Sequence, residues 1–104
     1  MTPEGRLKKE VKEELSLWAP LWFYMPVSCG FGKQGIPDFI ICANGRFLSI
    51  ETKDKGKKRT PLQTLCATQI TLAEGIMLLL FPGEIENLRS YLRMCGCHAI
   101  TSKQ

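Results

Sequence analysis

The sequence predicts an α/β domain in the order α-β-β-β-α-β-α, a small mixed sheet flanked by helices. Three observations carry this expectation. The chain opens on a segment with helical apolar spacing. Asn44-Gly45 separates two apolar runs, which is the strongest short signal for a two-residue β-hairpin. A further helical segment then leads to "IMLLLF" at 76–81, so that strand, helix and strand form a right-handed crossover with parallel neighbours. The 104 residues suit one domain, 1–104, with one modest core.

Taken in order, residues 4–18 form the first helix. Thr2 is its N-cap, Pro3 occupies the first turn, and Leu7, Val11, Leu15 and Trp18 make one stripe until Pro20 stops the helix. "LWFYMPV" (21–27) reads as a strand whose end or edge position is marked by Pro26. "SCGFGKQG" connects it to strands at 37–43 and 46–53, which complete an antiparallel meander. A helix follows at 61–74, closed by Gly75. The continuous apolar run of 76–81 suits a strand buried on both faces. Pro82-Gly83 turns the chain into a last helix, 84–95, with Ile85, Leu88, Leu92 and Met94 facing inward and Gly96 ending it. The tail shows no pattern.

Hydrophobic residues make up 44% and charged residues 23%, an ordinary globular composition. No apolar run approaches the roughly 20 residues of a membrane span. "MTPEGRLKKEVKEEL" carries charges throughout and lacks the apolar stretch of a secretory signal, so a cytosolic protein is expected. The five cysteines, odd in number and scattered, do not suggest a disulfide framework, and Cys95-Gly96-Cys97-His98 lacks a second ligand pair for zinc. The net charge of +4 is unremarkable, but "KDKGKKR" (53–59) gathers five of the 14 basic residues. Lys55, Lys57, Lys58 and Arg59 are therefore candidates for contact with phosphates, against the plainer reading of a solvated loop.

The hairpin carries the chemistry. With Asn44-Gly45 as the turn, Ala43 pairs with Arg46 and the register runs down to Phe39 with Ile50 and Asp38 with Glu51. Directly opposed residues place their Cβ atoms about 4.5–5.5 Å apart. Alternation puts Glu51 and Lys53 on the face of Asp38. Two opposed carboxylates repel unless one is protonated or a cation lies between them, and hard divalent cations such as Mg²⁺ or Mn²⁺ favour such oxygen donors. The alternative is an exposed hairpin end with an ordinary surface ion pair.

These residues match a known pattern. Pro37-Asp38 followed by Glu51-Thr52-Lys53 resembles the PD-(D/E)XK nuclease signature. "GIPDF", "ETK" and the later "TPLQ" are similar to the VRR-NUC family (virus-type replication-repair nucleases) in its stand-alone, phage-type form. The resemblance covers most of the chain and implies a restriction-endonuclease-like core. It implies a metal-dependent DNA endonuclease that acts on structured or branched DNA, including Holliday junctions, as a homodimer in the cytoplasm of a host. Asp38, Glu51 and the Thr52 carbonyl would bind Mg²⁺ or Mn²⁺. Lys53 would orient or deprotonate the attacking water, or balance phosphate charge, and Gln63 would help to order the metal or water shell.

The family site also takes an acidic residue from the first helix. At about 100° per residue, Glu4 lies near the apolar stripe and Glu14 lies on that side but deeper, while Glu10 points away. Glu4 is preferred, although an acid in a first turn also suits the helix dipole. Thr60-Pro61-Leu62-Gln63 is at the same time a capping box, so Gln63 has two candidate roles. No motif position is lost, which favours an enzyme over a DNA-shape-binding module on a nuclease fold.

Gly30-Phe-Gly32-Lys-Gln-Gly35 spells a dinucleotide fingerprint, but Ile36-Pro37 and a strand follow where a helix is required. Its glycines are read as a loop beside the site, with Lys33 reaching a DNA phosphate. Trp22, Phe23 and Tyr24 are capable of stacking on bases, yet alternating aromatics in a strand are read as core. His98, the one histidine, lies in the tail and is not taken as a catalytic base.

Overall fold

The computed structural model describes residues 1–27 and 34–100. The chain is an α/β protein whose mixed four-stranded sheet is flanked by helices. Helix α1 spans Pro3–Leu15 and α2 Pro61–Leu72, while α3 runs Ile85–Met94. Strands β2 (Leu21–Tyr24), β3 (Phe39–Ala43), β4 (Arg46–Thr52) and β5 (Ile76–Leu80) lie in that order. The first three are antiparallel, and β5 is parallel to β4. Strands β1 (Trp18–Ala19) and β6 (His98–Ala99) form a separate antiparallel pair.

The hairpin forms as expected. Asn44 and Gly45 take φ of 51° and 85°, the left-handed pair that a type I′ turn requires. Ala43 pairs with Arg46 and the register continues to Phe39 with Ile50. It stops there. Pro37, which is buried, has no N–H to extend a ladder, and the Thr52 N–H goes to the Asp38 side chain instead. Asp38 therefore lies just outside β3 and is not a strand partner of Glu51.

One face of the sheet makes the core. Phe39, Ile41 and Ala43 of β3, Leu48 and Ile50 of β4, and Leu78 and Leu80 of β5 bury against Leu7, Val11 and Leu15 of α1 and Leu88 and Leu92 of α3. α2 lies on the opposite face, where its Ile70 and the β4 residue Phe47 close on Gly75. A Cβ at that glycine would stand 2.8 Å from Phe47 and 2.9 Å from Ile70.

Several boundaries differ from expectation. α1 ends at Leu15 rather than 18, because Trp18 joins β1; its ring is still buried and donates to Glu14 Oε2 at 2.8 Å. β2 ends at Tyr24, before Met25-Pro26. α2 ends at Leu72, and Glu74 (φ 68°), not Gly75, takes the left-handed position. β5 is an edge strand, and only Leu78 and Leu80 are fully buried. Met94 is exposed, not core. β6 was absent from the expected elements.

The aromatic strand also departs from the core reading. Phe23 packs on the core, but Trp22 and Tyr24 project from the other face and are 62% and 49% exposed. α2 packs on the β5 side of that face, and no other helix of the described residues is seen to cover Trp22 and Tyr24 on the β2 side. Lys33 and most of the glycine-rich segment lie outside the described residues.

Candidate active site

Among the described residues, three polar side chains are buried, and all lie on β4: Ser49, Glu51 and Thr52. Ser49 donates to the Ile76 carbonyl at 3.1 Å and also lies 2.9 Å from Met77 Sδ. The Thr52 hydroxyl donates to Asp38 Oδ2 at 2.8 Å, and the Thr52 N–H donates to the same oxygen at 2.8 Å. Glu51 differs. Its side chain is 2% exposed, and its Oε1 is buried with no hydrogen-bond partner. A buried unpaired carboxylate is costly, so the group resists ionisation. Burial first, and the nearby Asp38 charge second, push its pKa up to about 7, against the opposing pull of Lys53 and Arg59; Glu4 adds a further upward push.

Of the residues expected at the site, Lys53, Asp38, Arg59 and Glu4 act on this acid. Lys53 Nζ stands 3.9 Å from Glu51 Oε2. The lysine is fixed at its backbone too, where its N–H donates to the Leu80 carbonyl at 3.0 Å. Glu4 acts on Glu51 electrostatically, whereas Glu14 is engaged elsewhere: Arg89 donates to both its oxygens, at 3.0 and 3.1 Å. Glu14 is thus a structural residue, and Glu4 is the acid that α1 turns toward the site.

Gln63 takes its capping role in full. Its Oε1 accepts from the Thr60 N–H at 2.8 Å and its own N–H donates to Thr60 Oγ1 at 3.2 Å. The backbone at Gln63 still adjoins the Asp38 segment. Gly35, at φ 80°, packs so closely that a Cβ there would stand 2.4 Å from the Leu62 carbonyl oxygen and 2.9 Å from the Gln63 nitrogen. The glycine two residues before Pro37 is needed for that close approach.

The basic loop leaves β4 directly after Lys53. Asp54–Lys57 form a turn closed by Lys57 N–H to the Asp54 carbonyl at 3.0 Å, with Gly56 at φ 83°. Lys55, Lys57 and Lys58 are exposed. Arg59 is half-buried, its Nε is shielded without a hydrogen-bond partner, and its charge acts on Glu51. Arg59 therefore belongs to the site more than to the outer loop.

Sequence reasoning missed Lys8. Its ammonium lies 3.4 Å from Asp38 Oδ1 and 4.0 Å from Glu4 Oε2. The signal was present, since Glu4 and Lys8 are four apart on one helix. Among the described residues no three His, Cys, Asp or Glu side chains stand together as a metal cluster. The cation between Glu4 and Asp38 is this lysine.

Comparison of the chain with models of known protein families, with curated proteins and with solved structures gives no match. No helix among the described residues is long and apolar enough to cross a membrane.

Proposed function

We propose that the protein is a divalent-metal-dependent DNA endonuclease of the VRR-NUC type, with a restriction-endonuclease-like core, that hydrolyses phosphodiester bonds in structured or branched DNA. The observation that carries this reading is the buried, unpartnered Glu51 oxygen beside Lys53, with Asp38 locked in place next to it by Thr52. An orphaned buried carboxylate held near a second one is a mismatch in a purely structural strand. It fits a cation site.

The donor set suits Mg²⁺ or Mn²⁺. Asp38 Oδ1, Glu51 and the Thr52 carbonyl are hard oxygen donors, and Glu4 of α1 would move in to complete them. Lys8 already marks the position as attractive to positive charge, and in yielding Asp38 it would free its ammonium for a DNA phosphate. The metal, when bound, would supply Lewis-acid activation of water and of the scissile phosphate. Lys53, fixed by the β4–β5 ladder, would orient or deprotonate the attacking water, or offset charge that develops on the phosphate. Lys55, Lys57 and Lys58 would hold the backbone, and shape rather than base sequence would be recognised. A homodimer would serve to cut both strands of a symmetric junction.

One observation favours a second reading, a non-catalytic module that binds DNA shape: Lys8 neutralises Asp38 from within. The test separates the two. The protein is incubated with a four-way junction, a flap and a linear duplex in Mg²⁺, Mn²⁺ or EDTA, beside Lys53→Ala. Metal-dependent cutting that falls by about 10²-fold or more in the variant is expected. Binding without cutting under every metal would discard the enzyme and leave the binding module.

A further inference from the structure

We infer that the open sheet face around Trp22 and Tyr24 is a stacking platform for unpaired nucleobases beside the cleavage site, so that the preferred DNA carries a single-stranded stretch next to the scissile phosphate. This deepens the nuclease reading and rests on it for the word cleavage; the binding face itself stands on separate observations.

Trp22 and Tyr24 are two apart on β2 and share a face, with ring centroids 5.7 Å apart and planes tilted by 48°. Large apolar rings are seldom left open without purpose when they are neighbours. The register shows where they lead. Tyr24 is opposite Ile40, and Ile40 is opposite Ser49; Trp22 is opposite Cys42, and Cys42 is opposite Phe47. Directly opposed residues share a face, so the rings stand on the same side of the sheet as Glu51. β2 is two strand spacings from β4, about 10 Å. Tyr24 lies at the Asp38 end of this path, since Ile40 is only two residues past Asp38.

Charge decides between possible occupants. The basic turn of Lys55, Lys57 and Lys58 leaves β4 beyond Glu51, on the far side of the carboxylates from the rings. An extended anionic strand would lay its phosphates on that turn and reach the rings with its bases on the other side. A second copy seated on this face would bring no phosphates to that turn. Every base has a face to stack, so such a platform selects for unpaired structure and not for sequence.

The experiment measures binding in EDTA, where no cutting takes place. A dye-labelled thymidine oligonucleotide of about twelve nucleotides, within the usual site size for single-strand binding, is compared by anisotropy with a blunt hairpin duplex of similar charge. The proteins are wild type, Trp22→Ala, Tyr24→Ala and Trp22→Phe. Each alanine variant is expected to weaken oligonucleotide binding roughly 5- to 100-fold, to leave the duplex within about twofold, and to melt like wild type; Trp22→Phe keeps most of the affinity. In wild type the oligonucleotide also quenches the emission of exposed Trp22, while buried Trp18 is the unaffected second tryptophan.

Equal losses on both DNAs, or none on the oligonucleotide, would overturn the platform. So would alanine variants that change from dimer to monomer with unchanged oligonucleotide affinity, which would make this face a contact between copies. Platform binding together with no cleavage in Mg²⁺ or Mn²⁺ would remove the nuclease and keep the platform. Cleavage with no single-strand preference would do the reverse.

Discussion

Two glutamates of this protein, Glu14 and Glu51, face opposite circumstances. Glu14 is shielded on α1 but accepts from Trp18 and from Nε and Nη2 of Arg89, and those bonds hold its carboxyl below the ordinary range. Glu51 is more deeply buried and has one oxygen with no partner, and its carboxyl is raised to about 7. The first acid ties α1 to α3. The second is held in a state that costs stability. The fold satisfies the half-buried Glu14 carboxylate fully and leaves Glu51 desolvated, which is the cost that the proposed cation would relieve.

The largest break in this comparison is Glu51→Gln. A folded pKa above the unfolded value means that the native state binds the extra proton between about pH 4.5 and 7, so stability falls as pH rises through that window and is flat above it. Removing the charge abolishes this loss. The variant should gain about 3 kcal/mol on wild type at pH 8 relative to their difference at pH 4, measured by urea unfolding at both values. It should also lose cleavage. A variant that is no more stable at pH 8 would mean that Glu51 is ionised without cost.

A similar effect is expected from the proposed ligand. At pH 8 a divalent cation at about 100 times its dissociation constant should stabilise wild type by about 2.7 kcal/mol, seen as a rise in Tm. Asp38→Asn and Glu51→Gln should lose most of that rise, and Glu14→Gln should keep it. The effect should shrink toward pH 5, where protons compete for Glu51.

The smallest expected change sharpens the other half of the comparison. Glu14→Ala should lower stability by about 1 kcal/mol, a figure reduced because Arg89 is water-facing. Its carboxyl is depressed in the fold, so this contribution is present above about pH 4.5 and is lost as pH falls through the folded value. Cleavage should be unchanged. A loss of metal response in this variant would reopen the choice between Glu14 and Glu4.

Much of the site was legible because it rests on local chemistry. Asn-Gly fixed the hairpin register from Ala43 with Arg46 down to Phe39 with Ile50, and the expected Asp38–Glu51 pair is the one step that fails. Thr2 and Thr60 cap α1 and α2 as their side chains require. The parallel β4–β5 pair followed from the crossover. Other features depend on tertiary choices that a linear pattern does not encode. Alternation told that Trp22 and Tyr24 share a face, but only the seating of α2 over β5 decides that, among the described residues, their rings stay exposed. The β1–β6 pair joins two-residue strands from distant parts of the chain and has no local signal. Asp38 turned onto Thr52 because Pro37 ends the ladder, and Lys8 met Asp38 only once α1 had packed on the sheet.

The clamp on Asp38 has a consequence for how the chain tolerates change. Half of it is the Thr52 side chain, and half is a main-chain N–H that every residue but proline supplies. Replacement of Thr52 by valine keeps the shape and the N–H, so the acid is loosened without being released. The geometry of this carboxylate is thus partly independent of the genetic code at position 52. The limit on drift there is set by volume, since that residue is 1% exposed.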